Sequence, residues 1–212
     1  MTQTKQRTLA AELLSAPDYR RYWLSSTSFS LGIWGFIVSM GYSAKQLTDS
    51  PLRVSLVSVA YFTPMFLLAL PSGVLADAVD RKKTVVVCRA GSAVVAVVLA
   101  GLSALGHLSY PALVVLCAFV GASVVLEVAA RQAYVTQVVR PEQVAGATAL
   151  GSVQGGAARV VGPLAAGALI ASSGEAAGYL FFAAAAAVGI GSVPPSIMLA
   201  LKAGIPHREG VL

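Results

Sequence analysis

Apolar residues in this chain come in long unbroken runs, without helical or alternating spacing, and short charged or turn-forming clusters separate them. The runs fall at 22–44, 54–76, 84–106, 108–130, 146–172 and 176–201. Each is near or above the roughly 20 residues that a helix, rising 1.5 Å per residue, needs to cross the hydrocarbon of a bilayer. The pattern predicts an all-α membrane protein with six transmembrane helices in one bundle over 22–201, an N-terminal segment over 1–21 and a tail over 202–212. Connections are short: Thr48, Asp49, Ser50 and Pro51 form a turn cluster, and His107 stands alone between the third and fourth runs. Short connections predict that successive helices pack as antiparallel neighbours.

Composition agrees with a membrane environment. Of the 212 residues 57% are hydrophobic and 11% charged, against about a quarter charged in an ordinary soluble domain. The net charge of +6 does not point to nucleic acid, because the basic residues sit at the ends of apolar runs and not on one soluble face. Their placement is topological. With the N-terminus inside, Lys45 and Arg53 fall outside, Arg159 falls within a span, and every other Lys and Arg of the 15 falls on the side of both termini. The positive-inside rule therefore predicts a multi-pass protein of the cell membrane with both termini cytoplasmic. Lys5 and Arg7 are followed by Glu12 and Asp18 before any long apolar run, which does not fit a cleavable signal peptide.

Asp18 to Trp23 reads as an interfacial anchor, with basic residues in the headgroups and aromatics at the boundary. Small residues from Gly146 to Gly167 and the alanines from Ala183 to Ala187 predict close backbone approach. Pro64, Pro71, Pro163, Pro194 and Pro195 remove backbone donors, so kinks or local unwinding are expected there. Cys88 and Cys117 lie in apolar runs without metal-ligand spacing, and read as packing residues. His107 and His207 are far apart and no HExxH or GxSxG occurs. No metal, cofactor or enzymatic chemistry is expected.

The densest charge lies between the second and third runs, where Asp77, Asp80, Arg81, Lys82 and Lys83 follow Gly73. The order Gly73-x-Leu75-Ala76-Asp77-x-x-x-Arg81-Lys82 resembles the loop between helices two and three of the major facilitator superfamily. Ala78 stands where that family usually has a basic residue, and Asp80 where glycine is common. Gly162-Pro163-x-x-x-Gly167 is similar to the helix-five motif of the superfamily's exporters, with Ala149, Ala158 and Ala166 in place of further glycines. Arg131 to Gly167 also resembles the branch of transmembrane secretion effectors that includes siderophore exporters.

The resemblance covers essentially the whole chain, as the N-terminal six-helix half of a fold that normally has twelve helices. It implies a half-bundle whose cavity needs a C-terminal six-helix half or a second copy of this chain as its opposite wall. It implies export of small molecules coupled to protons, by alternating access. It also implies that Gly73, Asp77, Arg81 and Lys82, with Glu127 as the acid on helix four, form a charge cluster that switches conformation. The short polar tail lacks the long basic loop that usually follows helix six in the family, which favours truncation or an interrupted reading frame over an evolved half-transporter.

Two intramembrane charges need partners on physical grounds. Glu127 lies about 6 Å inside the fourth run, where an acid is costly unless paired. Arg81, Arg89 and Arg131 are the candidates, Arg131 at i, i+4 on the same helix. The alternative is a local Glu127–Arg131 pair while the loop basics only set topology. Arg159 lies roughly 20 Å in from the boundary. An arginine there costs on the order of 2.5 to 3.5 kcal/mol and implies a cavity, carbonyls freed by Pro163, an acid from another bundle or an anionic ligand. Trp34 and Tyr42, among the hydroxyls of the first run, are further cavity candidates. Those hydroxyls have a plainer alternative, bonding to their own i−4 carbonyls.

Two functions compete. The first is a secondary transporter of small molecules that rocks about a midplane site. The second is a non-transporting membrane subunit that docks a partner through the small-residue faces of the last two runs.

Overall fold

A computed structural model describes residues 15–78, 81–139 and 143–193. Helix α1 spans Pro17–Leu47, α2 Pro51–Ala78, α3 Arg81–Ala104, α4 Tyr110–Val138, α5 Val144–Ser173 and α6 Glu175–Gly191. No strand occurs among the described residues. Prolines open α1 and α2, where a missing N–H costs nothing because the first-turn donors have no intrahelical partner. Helix α3 ends in a Schellman turn: Gly106, at φ +68°, donates to the Ser103 carbonyl and His107 to the Leu102 carbonyl. Gly174, at φ +84°, is the whole connection between α5 and α6. A side chain there would strain the backbone.

Four helices are long and apolar enough to cross a membrane, through Pro51–Leu68, Lys83–Ala104, Tyr110–Gln132 and Val144–Ser173. The six expected spans are therefore met in part. Helix α1 is the longest at 31 residues, but serines, glycines and Arg20 and Arg21 replace aliphatics along it. Helix α6 is apolar but has 17 described residues, and Pro194 and Pro195 lie outside the described part. Helix α2 continues through Pro64 and Pro71, and α5 through Pro163, with no unwound turn. The expected unwinding at these prolines does not occur. Only residues 79–80 separate α2 from α3, so Asp77 and Arg81 belong to helix ends and not to an open loop.

Packing partners depart from chain order. Helix α1 packs chiefly on α5 and α6, α4 chiefly on α2 and α3, and α3 on α6 joins the two groups. The pattern is nearly unchanged when each helix is exchanged for the one three places along. Of the successive pairs, α3 and α4 pack closely, as loop length leads one to expect, whereas α1 and α2, or α4 and α5, touch far less. A short connection fixes where two ends meet; close packing is set by small residues further along. A Cβ at Gly121 of α4 would overlap the Tyr61 carbonyl of α2, and one at Gly162 of α5 would come within 2.6 Å of the Leu31 carbonyl of α1. The central cluster is aromatic. Phe36 of α1 is fully buried, 5.1 Å from the ring of Phe182 and 5.9 Å from those of Tyr179 and Tyr61.

Candidate functional site

At the end of the bundle where α3 begins and α6 finishes, charged side chains are buried between four helices. Arg89 of α3 is 2% exposed and Glu127 of α4 fully buried. Arg89 donates from Nε and Nη2 to Glu127 Oε1, at 3.1 and 2.7 Å. Its Nη1 donates to the Gly189 carbonyl of α6 at 3.0 Å and to Ser25 Oγ of α1 at 2.6 Å. Ser25 Oγ donates in turn to the Gly189 carbonyl. The guanidinium also lies 4.7 Å from the centre of the Phe29 ring. One arginine thus links α1, α3, α4 and α6.

Arg131 adds a second cation. Its Nε is 3.4 Å from Glu127 Oε1, and its Nη1 donates to Ser26 Oγ at 3.1 Å. It also hydrogen-bonds Tyr22. Two guanidiniums therefore converge on one oxygen of one carboxylate, while Glu127 Oε2 is buried with no hydrogen-bond partner among the described residues. In a medium that solvates charge poorly, such a node holds only while both signs are present, because removing one leaves the other buried and uncompensated.

Of the three candidate partners of Glu127, Arg89 and Arg131 are both engaged, so a purely local helix pair is not what the acid makes. Counting along the chain places Arg89 among the cytoplasmic basic residues; it is instead a core residue two turns into α3. The sequence does carry a signal for it, since it stands within an apolar run and needs a counter-charge. Nothing comparable marks Ser25 and Ser26 as partners of the two arginines. Other α1 hydroxyls follow the plainer alternative: Thr27 donates to the Trp23 carbonyl and Ser39 to that of Gly35. The aromatics of the expected anchor turn inward. Tyr19 is 2% exposed and packs with Val139 and Ala147, and Tyr22 and Trp23 lie against that cluster.

Gly73 and Asp77 fall in α2 and Arg81 and Lys82 open α3, but the side chains of this motif lie outside the described residues. Of the helix-five motif, Gly162 makes the close approach to α1, Pro163 lies inside the helix, and Gly167 faces open space. Arg159 stands near the midpoint of α5, exposed, 5.2 Å from the centre of the Trp34 ring. Tyr42 is not part of that pair: two turns further along α1, its hydroxyl accepts from Gln46 Nε2. No group of His, Cys, Asp and Glu that could hold a metal occurs among the described residues.

A buried charged node joining four helices, in a bundle whose packing repeats after three helices, agrees with the match between residues 10–196 and the family model described as transmembrane secretion effector, a branch of the major facilitator superfamily. The chain belongs to this family. No curated protein and no solved structure matches it. Members of the transmembrane secretion effector family are membrane transporters, and the long apolar helices of this chain place it in a membrane with them.

Proposed function

We propose that this chain exports small molecules across the cell membrane by alternating access, driven by protons, with all six helices spanning the bilayer and both termini cytoplasmic. The charge asymmetry supports the orientation. The observation that carries the coupling is Glu127, a fully buried carboxylate with two guanidiniums on one oxygen and the other oxygen unpartnered among the described residues. A proton has an open oxygen to occupy. Neutral Glu127 no longer balances Arg89 and Arg131, and the ion pair that ties α3 to α4 at this end falls away. Protonation then releases one end of the bundle, the bistable element that alternating access requires.

Asp77 and Arg81 complete the switch. The node carries two positive charges against one negative, and Asp77, at the end of α2, supplies the anion that engages it in one of the two states. A second six-helix bundle, from a second copy or a C-terminal half, forms the opposite wall of the cavity.

The test is flux in vesicles holding the purified chain, with an imposed pH gradient and the fluorescent aromatic anion lucifer yellow. The wild-type chain moves the probe against its gradient. Asp77→Asn and Glu127→Gln, inserted to the same level, do not. Probe movement that ignores the pH gradient overturns proton coupling. No movement in the wild-type chain, with ethidium or with anionic probes, overturns transport by paired copies of this chain.

A further inference from the structure

Arg159 is the one described charge near mid-helix that faces outward from the bundle with no counter-ion. Among the described residues no hydrogen bond or ion pair reaches its guanidinium, and its single partner there is the Trp34 ring at 5.2 Å. One turn earlier on α5, at Gly155 or Gly156, and two turns earlier, at Gly151, a side-chain carbon would meet nothing within 4 Å. The face of α5 beside Arg159 is therefore open, with no side chain over it. Below it the α1–α5 seam stays polar, with Gln154 buried and its Nε2 3.4 Å from Ser30 Oγ. A guanidinium lying over an indole keeps its N–H fork free at the edge, and that fork matches a carboxylate in two parallel hydrogen bonds.

From this geometry we infer that the transported substrate is an aromatic organic anion, its acid group bound by Arg159 and its ring carried on Trp34 beside the open glycine face of α5. The inference rests on the transporter reading and names the cargo class of that transporter. Charge and shape both contribute. The cation selects an acid over its neutral counterpart, the indole offers a flat apolar face, and the missing side chains at Gly155 and Gly156 leave room for a ring. Trp34 and Arg159 come from α1 and α5, which meet at Gly162, so the close approach there sets the spacing of the two groups.

The experiment reads binding and not flux. The full chain carrying Trp23→Phe, in lipid nanodiscs, keeps Trp34 as its single tryptophan, and its fluorescence is titrated with 4-nitrobenzoate and with 4-nitrobenzamide. Partition into lipid favours the neutral amide, so a preference for the acid has the opposite sign to the nonspecific effect. Expected is saturable quenching by the acid with affinity about 10-fold or more above that of the amide, the size of a charge-assisted hydrogen bond. Arg159→Gln abolishes that preference and leaves amide binding unchanged, while Arg159→Lys keeps a reduced preference. Equal binding of acid and amide by the intact chain overturns the inference, as does an acid preference that survives Arg159→Gln. An acid from a second bundle covering Arg159 also gives equal binding, and overturns it in the same way. Should Arg159→Gln fail to fold, the intact chain and Arg159→Lys still decide. Neither arm needs a pH gradient: acid-selective binding without flux removes the transporter reading alone, and flux of ethidium without acid preference removes the anion inference alone.

Discussion

The two ends of the bundle join the same helix, α1, to its neighbours by different means. At the end where α3 begins, Arg89, Glu127 and Arg131 tie four helices with full charges and leave the carboxylate completely buried. At the other end Ser43 donates to Glu175, its oxygen lies 2.5 Å from the Tyr179 hydroxyl, and Tyr179 donates to the Ser39 carbonyl at 3.5 Å. That network is mostly neutral, it joins only α1 and α6, and its one acid is partly exposed. On the proposed reading the charged node responds to a proton at Glu127, while the opposite network has its acid, Glu175, at the partly exposed edge. If the proposed function holds, gating belongs to the first end and a steady hinge to the second.

The sharpest break in that comparison is Glu127→Ala. It leaves Arg89 buried at the meeting point of four helices with no counter-charge, a loss of about 3–5 kcal/mol for a broken buried pair. Thermal unfolding in detergent should show a large fall in Tm, and the double variant Arg89→Met with Glu127→Leu should recover most of it, because well-packed apolar side chains replace a buried pair at little cost. A double variant as unstable as the single would mean that packing, not charge, holds this end. Removing the acid at the opposite end, Glu175→Ala, should cost no more than about 1.5 kcal/mol, the upper range for one hydrogen bond.

Gly121→Leu comes next. The Tyr61 carbonyl occupies the place of the new side chain, and backbone cannot swing aside as a flexible side chain can. The α2–α4 contact must open, at a cost of about 1–3 kcal/mol for overpacking. Gly151→Leu is the control, since nothing lies within 4 Å of its added carbon, and its stability should stay within about 0.5 kcal/mol of wild type. Equal effects at the two glycines would remove close approach as the reason α2 pairs with α4 and not with α3.

How much of this is legible in the sequence depends on the kind of information involved. Six helices follow from apolar run length, and the need of Glu127 for a cation follows from the cost of a lone acid in hydrocarbon. Which cation does not follow. Arg131 sits at i, i+4 and is readable from spacing, but Arg89 is 38 positions away, and only the packing of α3 on α4 brings it in. Positional counting puts Arg89 on the cytoplasmic side and among three candidate partners, and does not choose between them. Ser25 and Ser26 are hidden by ambiguity: an α1 hydroxyl bonds its own helix, as Thr27 does, or a neighbour, and sequence carries no signal for which. Loop length misdirects the pairing of helices for a similar reason, since the contacts at Gly121 and Gly162 are set far from the connections.

The smallest effect tests the neutral end. Tyr179→Phe keeps the ring that packs on Phe36 and removes only the hydroxyl beside Ser43 and the Ser39 carbonyl. Ser43 retains Glu175 as an acceptor, so no buried donor is stranded and the penalty should be one ordinary hydrogen bond, about 1 kcal/mol. The more telling readout is function. If this end is a hinge held mainly by Phe36, Tyr61 and Phe182, Tyr179→Phe should move the fluorescent anion at the wild-type rate with the same dependence on the pH gradient. A changed pH dependence would mean that the hydroxyl chain and Glu175 take part in proton transfer, and the division of labour between the two ends would have to be given up.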